Sequence, residues 1–324
     1  MKKIFPGCVA FLMLSSCASL TKSQVEAVHQ FANTSKNFSA YPSEILTAMA
    51  ELRVERGVYY TNSLADVYEI NAADSNEESD EIDSLREVTV TAHVKELNDV
   101  YLAKKRDYKT SEKANITFKI IDKYAQSLLL LSSDKHVTDM GAQAANFGVS
   151  LDSLISKYNA MEGTTRVTPG IGGLIGSLIM AGGKQWIRAK QATEIQRFVP
   201  AADRMIGVMS RNLLDFLQSG SIESLITNEA QQIQSNYRSF LRYRRPVIQN
   251  EWDYLALLAH LDHIKALRDQ TIAATKSLRS AHSELLTAIK QKKTLTEAVA
   301  GVQLLYEDVA EIKSTMHALH SDKN

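Results

Sequence analysis

Residues 271–309 read TIAATKSLRSAHSELLTAIKQKKTLTEAVAGVQLLYEDV, and their apolar side chains recur at alternating intervals of three and four. This heptad spacing is typical of α-helices that pack along a common seam. The seam consists of Ala274, Leu278, Ala281, Leu285, Ala288, Lys292, Leu295, Val299, Val302, Tyr306 and Val309. Because alanine at alternate seam positions favours close packing, the heptad-rich region 250–320 is predicted to be helical throughout.

One interruption of the seam leaves two arrangements open. Residues 290–293 read KQKK, and the following Thr294–Glu297 matches a capping box, which is a signature of a helix start. An unbroken helix would form a rod on the order of 100 Å long at 1.5 Å per residue. The alternative is a helical hairpin that turns near Lys292.

Helical periodicity also extends over most of the remaining chain. Only 14 glycines and 5 prolines occur in 324 residues, and no internal repeat or run of alternating strands is present. Helices are expected to begin at Pro42-Ser43 and after Pro200, and one should end at Pro246. The acidic segment 74–83 is predicted to be a solvated loop. The fold class is therefore all-α: an elongated antiparallel helical bundle with long coiled-coil-like C-terminal helices, in one body spanning 25–324.

The start of the chain has the parts of an export signal. Lys2 and Lys3 precede an apolar run, Ile4–Leu14, which is too short to span a bilayer as a helix. The run ends in Leu14-Ser15-Ser16-Cys17, which resembles the cleavage box of bacterial lipoprotein precursors. The resemblance implies a signal peptide at 1–16, a lipid carrying acyl chains such as palmitate on Cys17, and a tether at 17–24. The alternative is an ordinary secretory signal with an incidental cysteine.

This resemblance also implies a location. A lipid-anchored protein of this class lies in the bacterial cell envelope, and aspartate directly after the lipidated cysteine retains such proteins at the inner membrane. Ala18 occupies that position, so the outer membrane is favoured, with the body in the periplasm or at the cell surface. Cys8 would leave with the leader and Cys17 would become a thioether, so a cysteine nucleophile or a thiolate metal site is excluded.

The charge balance argues against a nucleic-acid partner. The precursor contains 37 basic and 37 acidic residues. Loss of Lys2 and Lys3 with the leader leaves the mature chain near −2. Nucleic-acid binding usually requires a strongly basic face. The densest basic patch, Arg242–Arg245, is interpreted as favourable placement of cations at a helix C-terminus.

The segment 167–183 lacks charged residues and is rich in glycine. Gly172 and Gly176 have GxxxG spacing, and Trp186 follows within an aromatic and basic flank. Such a segment could face a membrane or pack closely inside the bundle, and we expect packing. Gly183-Lys184 does not begin a P-loop, because Leu178 and Gln185 replace the required glycine and hydroxyl residue.

A metal site is a weaker possibility at His260 and His263, which are three residues apart and would share a helix face. No third or fourth ligand lies nearby in sequence, so no metal and no cofactor is expected. Catalytic motifs such as GxSxG are also missing from the sequence.

The mature part resembles uncharacterised helical envelope lipoproteins of several bacterial groups. The resemblance rests on the cysteine box, on Tyr124–Leu128, on the glycine-rich segment leading into Lys190-Gln191, and on the heptad-rich end. We expect a binding or structural role without catalysis, through a protein partner or homo-oligomer and the lipid on Cys17. The alternatives are a membrane-active, pore-forming-like protein that uses 170–186, a metal-dependent enzyme, and an immunity lipoprotein.

Overall fold

The computed structural model describes residues 20–41, 43–74, 91, 94–95, 97–99, 101–102, 112–133, 140–161, 165–182, 188–243, 248–291 and 296–321. The leader, Cys17, most of the acidic segment 74–83 and Trp186 lie outside these ranges. Within them, the regular structure is entirely α-helical, which confirms the predicted all-α bundle. The helices are α1 (Lys22–Phe38), α2 (Ser43–Asp74), α3 (Glu112–Ser132), α4 (Met140–Asn159), α5 (Ile171–Gly182), α6 (Arg188–Leu217), α7 (Gly220–Tyr243), α8 (Ile248–Gln291) and α9 (Thr296–Ser321).

Helix α8 is the spine of the bundle. Its 44 residues extend about 66 Å at 1.5 Å per residue. Its C-terminal half packs against α1, α6 and α9, and its N-terminal half packs against α2 and α7. This is why apolar positions of the heptad seam and their neighbours are both buried along α8.

Helix α1 defines the end of the bundle at which the described chain begins. Leu20 is buried, and Thr21 starts α1 through a capping box with Gln24. The ring of Phe31 contacts Tyr124, and that of Phe38 contacts Phe118, so α1 and α3 are antiparallel. The predicted tether 17–24 is therefore too long, because the chain joins the core at residue 20.

The opposite end of the bundle contains the start of α8. Tyr237 of α7 stacks on Tyr254 with ring centroids 4.1 Å apart. Tyr59 of α2 donates its hydroxyl to the backbone oxygen of Asn250 at 3.4 Å. Both α2 and α7 thus run antiparallel to α8 and reach its N-terminal turns, far from the start of α1.

The structure decides between the two arrangements of the heptad-rich region. Helix α8 ends at Gln291, α9 begins at Thr296, and the two helices pack along each other. Gly301 of α9 lies against the side chain of Glu284, as expected for a hairpin. The heptad seam is therefore used between two segments of the same chain.

The expectation of a helix beginning after Pro200 is wrong. Helix α6 begins at Arg188 and continues through Pro200. Phe198 and Val199 are fully buried there, and α6 packs against α3 and α8. Burial on both sides of the proline compensates for the backbone hydrogen bond that proline removes. None of the described helices is long and apolar enough to cross a membrane.

Candidate functional site

A buried polar network links three helices at mid-height of the bundle. The hydroxyl of Tyr124 and Nδ1 of His282 share a hydrogen bond of 3.0 Å. The other ring nitrogen, Nε2, lies 3.4 Å from Oδ1 of Asp203, which also accepts from Arg279 at 2.9 Å. A carboxylate can only accept, so this geometry favours a proton on Nε2 and a hydroxyl of Tyr124 that donates to Nδ1.

Burial sets the protonation of this network. Removal from water lowers the pKa of His282 to about 4, against the opposing attraction of Asp203. Burial also raises the pKa of Tyr124 well above its ordinary value. Both groups are therefore neutral near pH 7. The rings of Phe31 and Phe198 enclose them, so no substrate reaches the pair in this conformation. The network fixes the relative positions of α3, α6 and α8.

A second charged cluster joins α2 to α7. The carboxylate of Glu229 is almost completely buried and accepts from Nε of Arg53 at 2.7 Å and from Nε of Arg56 at 2.9 Å. Two guanidinium groups on one carboxylate leave the cluster with a net positive charge. Sequence reasoning missed this cluster, since the only signal was a glutamate one turn from Ile226 and Ile233 on the buried face of α7.

The two histidines considered as metal ligands lie on α8, but His260 is engaged elsewhere. Its Nδ1 lies 2.7 Å from Oε2 of Glu55 on α2, and the ring is almost buried. His263 is half-buried and also makes a polar interaction. Among the described residues, no group of three potential ligands is close enough to hold a metal ion. The structure thus places His260 in a helix–helix contact.

The glycine-rich segment forms a loop at 165–170 followed by α5. Gly172 is buried against Gly148 of α4, backbone against backbone, and the backbone nitrogen of Gly176 also lies near Gly148. Ile171, Ile175 and Leu178 are buried as well. The absence of a Cβ allows the two helices to approach at this crossing. Within the described part, the GxxxG pair is therefore found at a helix–helix contact.

Asp152 of α4 holds the first turn of α5. Its Oδ1 accepts from the backbone nitrogens of Gly170 at 3.0 Å and Gly172 at 2.9 Å, and its Oδ2 accepts from Gly173 at 2.9 Å. One carboxylate thus satisfies three donors at a helix N-terminus, where negative charge is also favourable. Gly170 has a φ of +104°, which only glycine adopts without strain.

A cleft opens beside this loop. It has a volume of about 590 Å³ and is lined by Ser156, Asn159, Ala160, Arg166, Val167, Thr168, Pro169 and Arg204. Asn159 holds the loop through its side-chain amide, which donates to the oxygen of Val167 and accepts from its nitrogen. The cleft therefore has one wall from the end of α4, one from a fixed loop and one from α6.

Exposed apolar side chains form a stripe on the first turns of α8. Ile248, Trp252 and Leu255 are 74%, 62% and 51% exposed. Their spacing of four and three places them on one face of the helix. We call these three residues the distal stripe, because about 60 Å of helix separates Trp252 from the end of α8 near the start of α1. Of the basic patch Arg242–Arg245, the side chain of Arg242 is described and is exposed.

Together these features define an all-α bundle with buried polar contacts between helices, one open cleft and one exposed apolar stripe. No protein-family model, no curated protein and no solved structure matches the chain.

Proposed function

We propose that the protein is a lipid-anchored helical protein of the bacterial cell envelope, held at the outer membrane, which binds a protein partner and catalyses no reaction. The leader and the Leu14–Cys17 box support the anchor, and Ala18 supports the outer membrane. Export would remove residues 1–16 and leave the lipid on Cys17.

The start of the body supports a close attachment to the membrane. Leu20 is already buried and Thr21 already caps α1. Only the link from Cys17 to Leu20 remains, which spans about 10 Å when extended. The lipid would therefore hold the end of the bundle that contains the start of α1 beside the membrane surface.

The distal stripe is the observation that carries the binding role. In an upright body it stands about 60 Å from the anchored end, beyond the reach of the anchoring lipids. The Tyr237–Tyr254 stack and the Tyr59–Asn250 hydrogen bond hold these turns of α8 in place. Grouped apolar side chains on a polar surface are typical of protein interaction sites. The partner would be an envelope protein that presents an apolar surface to Trp252.

The anchor is tested by metabolic labelling of the precursor with a palmitate analogue. We expect Cys17→Ser to abolish labelling and to release the protein from the membrane fraction. Cys8→Ser is the matched control and should keep both properties, because Cys8 leaves with the leader. Labelling that survives Cys17→Ser would contradict the anchor.

The binding role is tested by placing a photo-crosslinking residue at position 252 in cells. Position 306 on α9 is the control, because Tyr306 is similarly exposed at 58% but lies outside the distal stripe. We expect one discrete protein adduct from position 252 that Leu255→Ser removes. A lipid adduct, an adduct of two copies of this chain, or equal products from both positions would overturn the proposal.

A further inference from the structure

We propose that the cleft beside the glycine loop binds a small organic anion, such as a carboxylic acid with an apolar portion, between Arg166 and Arg204. This site is separate from the distal stripe and goes beyond the proposed function. The cavity of about 590 Å³ lies within the range of roughly 300–1,000 Å³ that is usual for small-molecule sites.

The two cations provide the first argument. Arg166 of the loop and Arg204 of α6 line the same cleft, and both are exposed. In the described part of the chain neither guanidinium is paired with a carboxylate, whereas Arg197 binds Glu194 and Arg279 binds Asp203 on the same helix, α6. Two unneutralised guanidinium groups in one cleft attract an anion, and their planar donor sets match a carboxylate or phosphate.

The rigidity of the walls provides the second argument. Both backbone polar groups of Val167, the residue after Arg166, are bonded to the side chain of Asn159 at 2.8 and 2.9 Å. Three residues further on, Asp152 holds the backbone of Gly170. The backbone that carries Arg166 is thus fixed before a ligand arrives, which reduces the entropy lost on binding.

The rest of the lining defines the ligand class. Ala160, Val167 and Pro169 give the cleft apolar walls, while Ser156 already donates its hydroxyl to the backbone oxygen of Asp152. An inorganic ion would leave these walls unfilled. A ligand with one anionic group and an apolar body of a few carbons uses both the cations and the walls.

A free organic acid and an anionic lipid headgroup share this chemistry. Arg204 is 16 residues after Arg188, the first residue of α6, so it lies about 24 Å along the helix from the end of the bundle that contains the start of α1. A headgroup in the anchoring membrane would not reach that height. The ligand is therefore a free anion in solution.

The test uses the full mature chain with Cys17→Ser, purified without detergent, and isothermal titration calorimetry with octanoate. We expect one site per chain and an affinity that falls on the order of tenfold or more in Arg166→Ala and in Arg204→Ala. Arg238→Ala, at an exposed arginine of α7 outside the cleft, is the matched control and should bind octanoate like the parent. Thermal melting of each variant checks that the fold is retained.

Two uncharged or inorganic probes and one membrane probe separate the remaining explanations. Octan-1-ol tests the need for the anionic group, and inorganic phosphate tests the need for the apolar body; both should bind at least tenfold more weakly than octanoate. Vesicles of phosphatidylglycerol should not retain the protein through Arg166 and Arg204. The proposal is overturned by absent octanoate binding, by equal binding of octanol or phosphate, by an equal loss in Arg238→Ala, or by binding to vesicles alone.

Discussion

The hydroxyl oxygen of Tyr124 lies 3.0 Å from Nδ1 of His282, and both side chains are completely buried. A titratable ring thus sits in the interior of a bundle whose other core residues are mostly apolar. Nearby are the charges of Asp203 and Arg279, which oppose each other in their effect on the imidazole. Desolvation is the largest effect, so His282 stays neutral until the solution becomes strongly acidic.

Acid should therefore destabilise the protein through His282. Its pKa is about 4 in the folded chain against an ordinary value of 6.5, so the unfolded chain binds the proton more readily. The stability is complete above about pH 6.5 and falls as the pH decreases to about 4, by on the order of 3 kcal/mol. Denaturant unfolding of the parent and of His282→Asn across this range measures the effect.

The asparagine variant should show a flatter pH profile, because its amide replaces Nδ1 as a partner for Tyr124 and does not titrate. His317→Asn is the control, since His317 is exposed on α9. If His282→Asn and the parent lose stability in parallel between pH 6.5 and 4, the assignment is wrong.

Removal of the Glu229 carboxylate should be strongly destabilising. Glu229→Ala leaves the guanidinium groups of Arg53 and Arg56, each with 12% of its side chain exposed, without their shared carboxylate. The expected cost is about 3–5 kcal/mol in the free energy of unfolding. Glu223→Ala on the same helix is the control, because Glu223 is exposed in its pair with Arg268 and should cost less than about 1 kcal/mol. Chemical denaturation distinguishes the two, and similar losses would contradict the buried cluster.

Adjacent glycines of α5 should respond differently to alanine. A Cβ on Gly172 would overlap the backbone of Gly148, whereas a Cβ on Gly173 would make an ordinary contact of 3.7 Å with Asp152. Gly172→Ala should therefore destabilise by about 1–3 kcal/mol or more, because two backbones must separate. Gly173→Ala should change stability by less than about 1 kcal/mol. Thermal melting of both variants tests the crossing, which predicts unequal effects.

The carboxylate of Asp152 should matter more than an exposed one. Asp152→Asn replaces one of two accepting oxygens with a donor, which would face the backbone nitrogen of Gly173 or those of Gly170 and Gly172. We expect a loss of about 1–3 kcal/mol. Asp215→Asn, on the exposed face of α6, is the matched control and should have little effect. Hydrogen exchange of the glycine amides would rise only in the Asp152 variant.

The sequence alone determined the fold class, because helical periodicity is a local property that residues such as Leu278 and Leu285 carry within two turns. The core position of Tyr124 followed from its apolar stripe in the same way. Periodicity also located α7 within a few residues. It did not locate the start of α6, since packing around Pro200 outweighs the local preference of proline to break a helix.

Only the tertiary structure decided which residues meet across long distances in sequence. Tyr124 and His282 are 158 residues apart, and Arg53 and Glu229 are 176 apart. No local pattern announces such pairs, because a polar residue on a buried helix face becomes a partner only when another helix supplies the complementary group. The same reason applies to the turn between α8 and α9 and to the cleft between Arg166 and Arg204. Periodicity specifies the face that each helix buries, and packing alone specifies which faces come together.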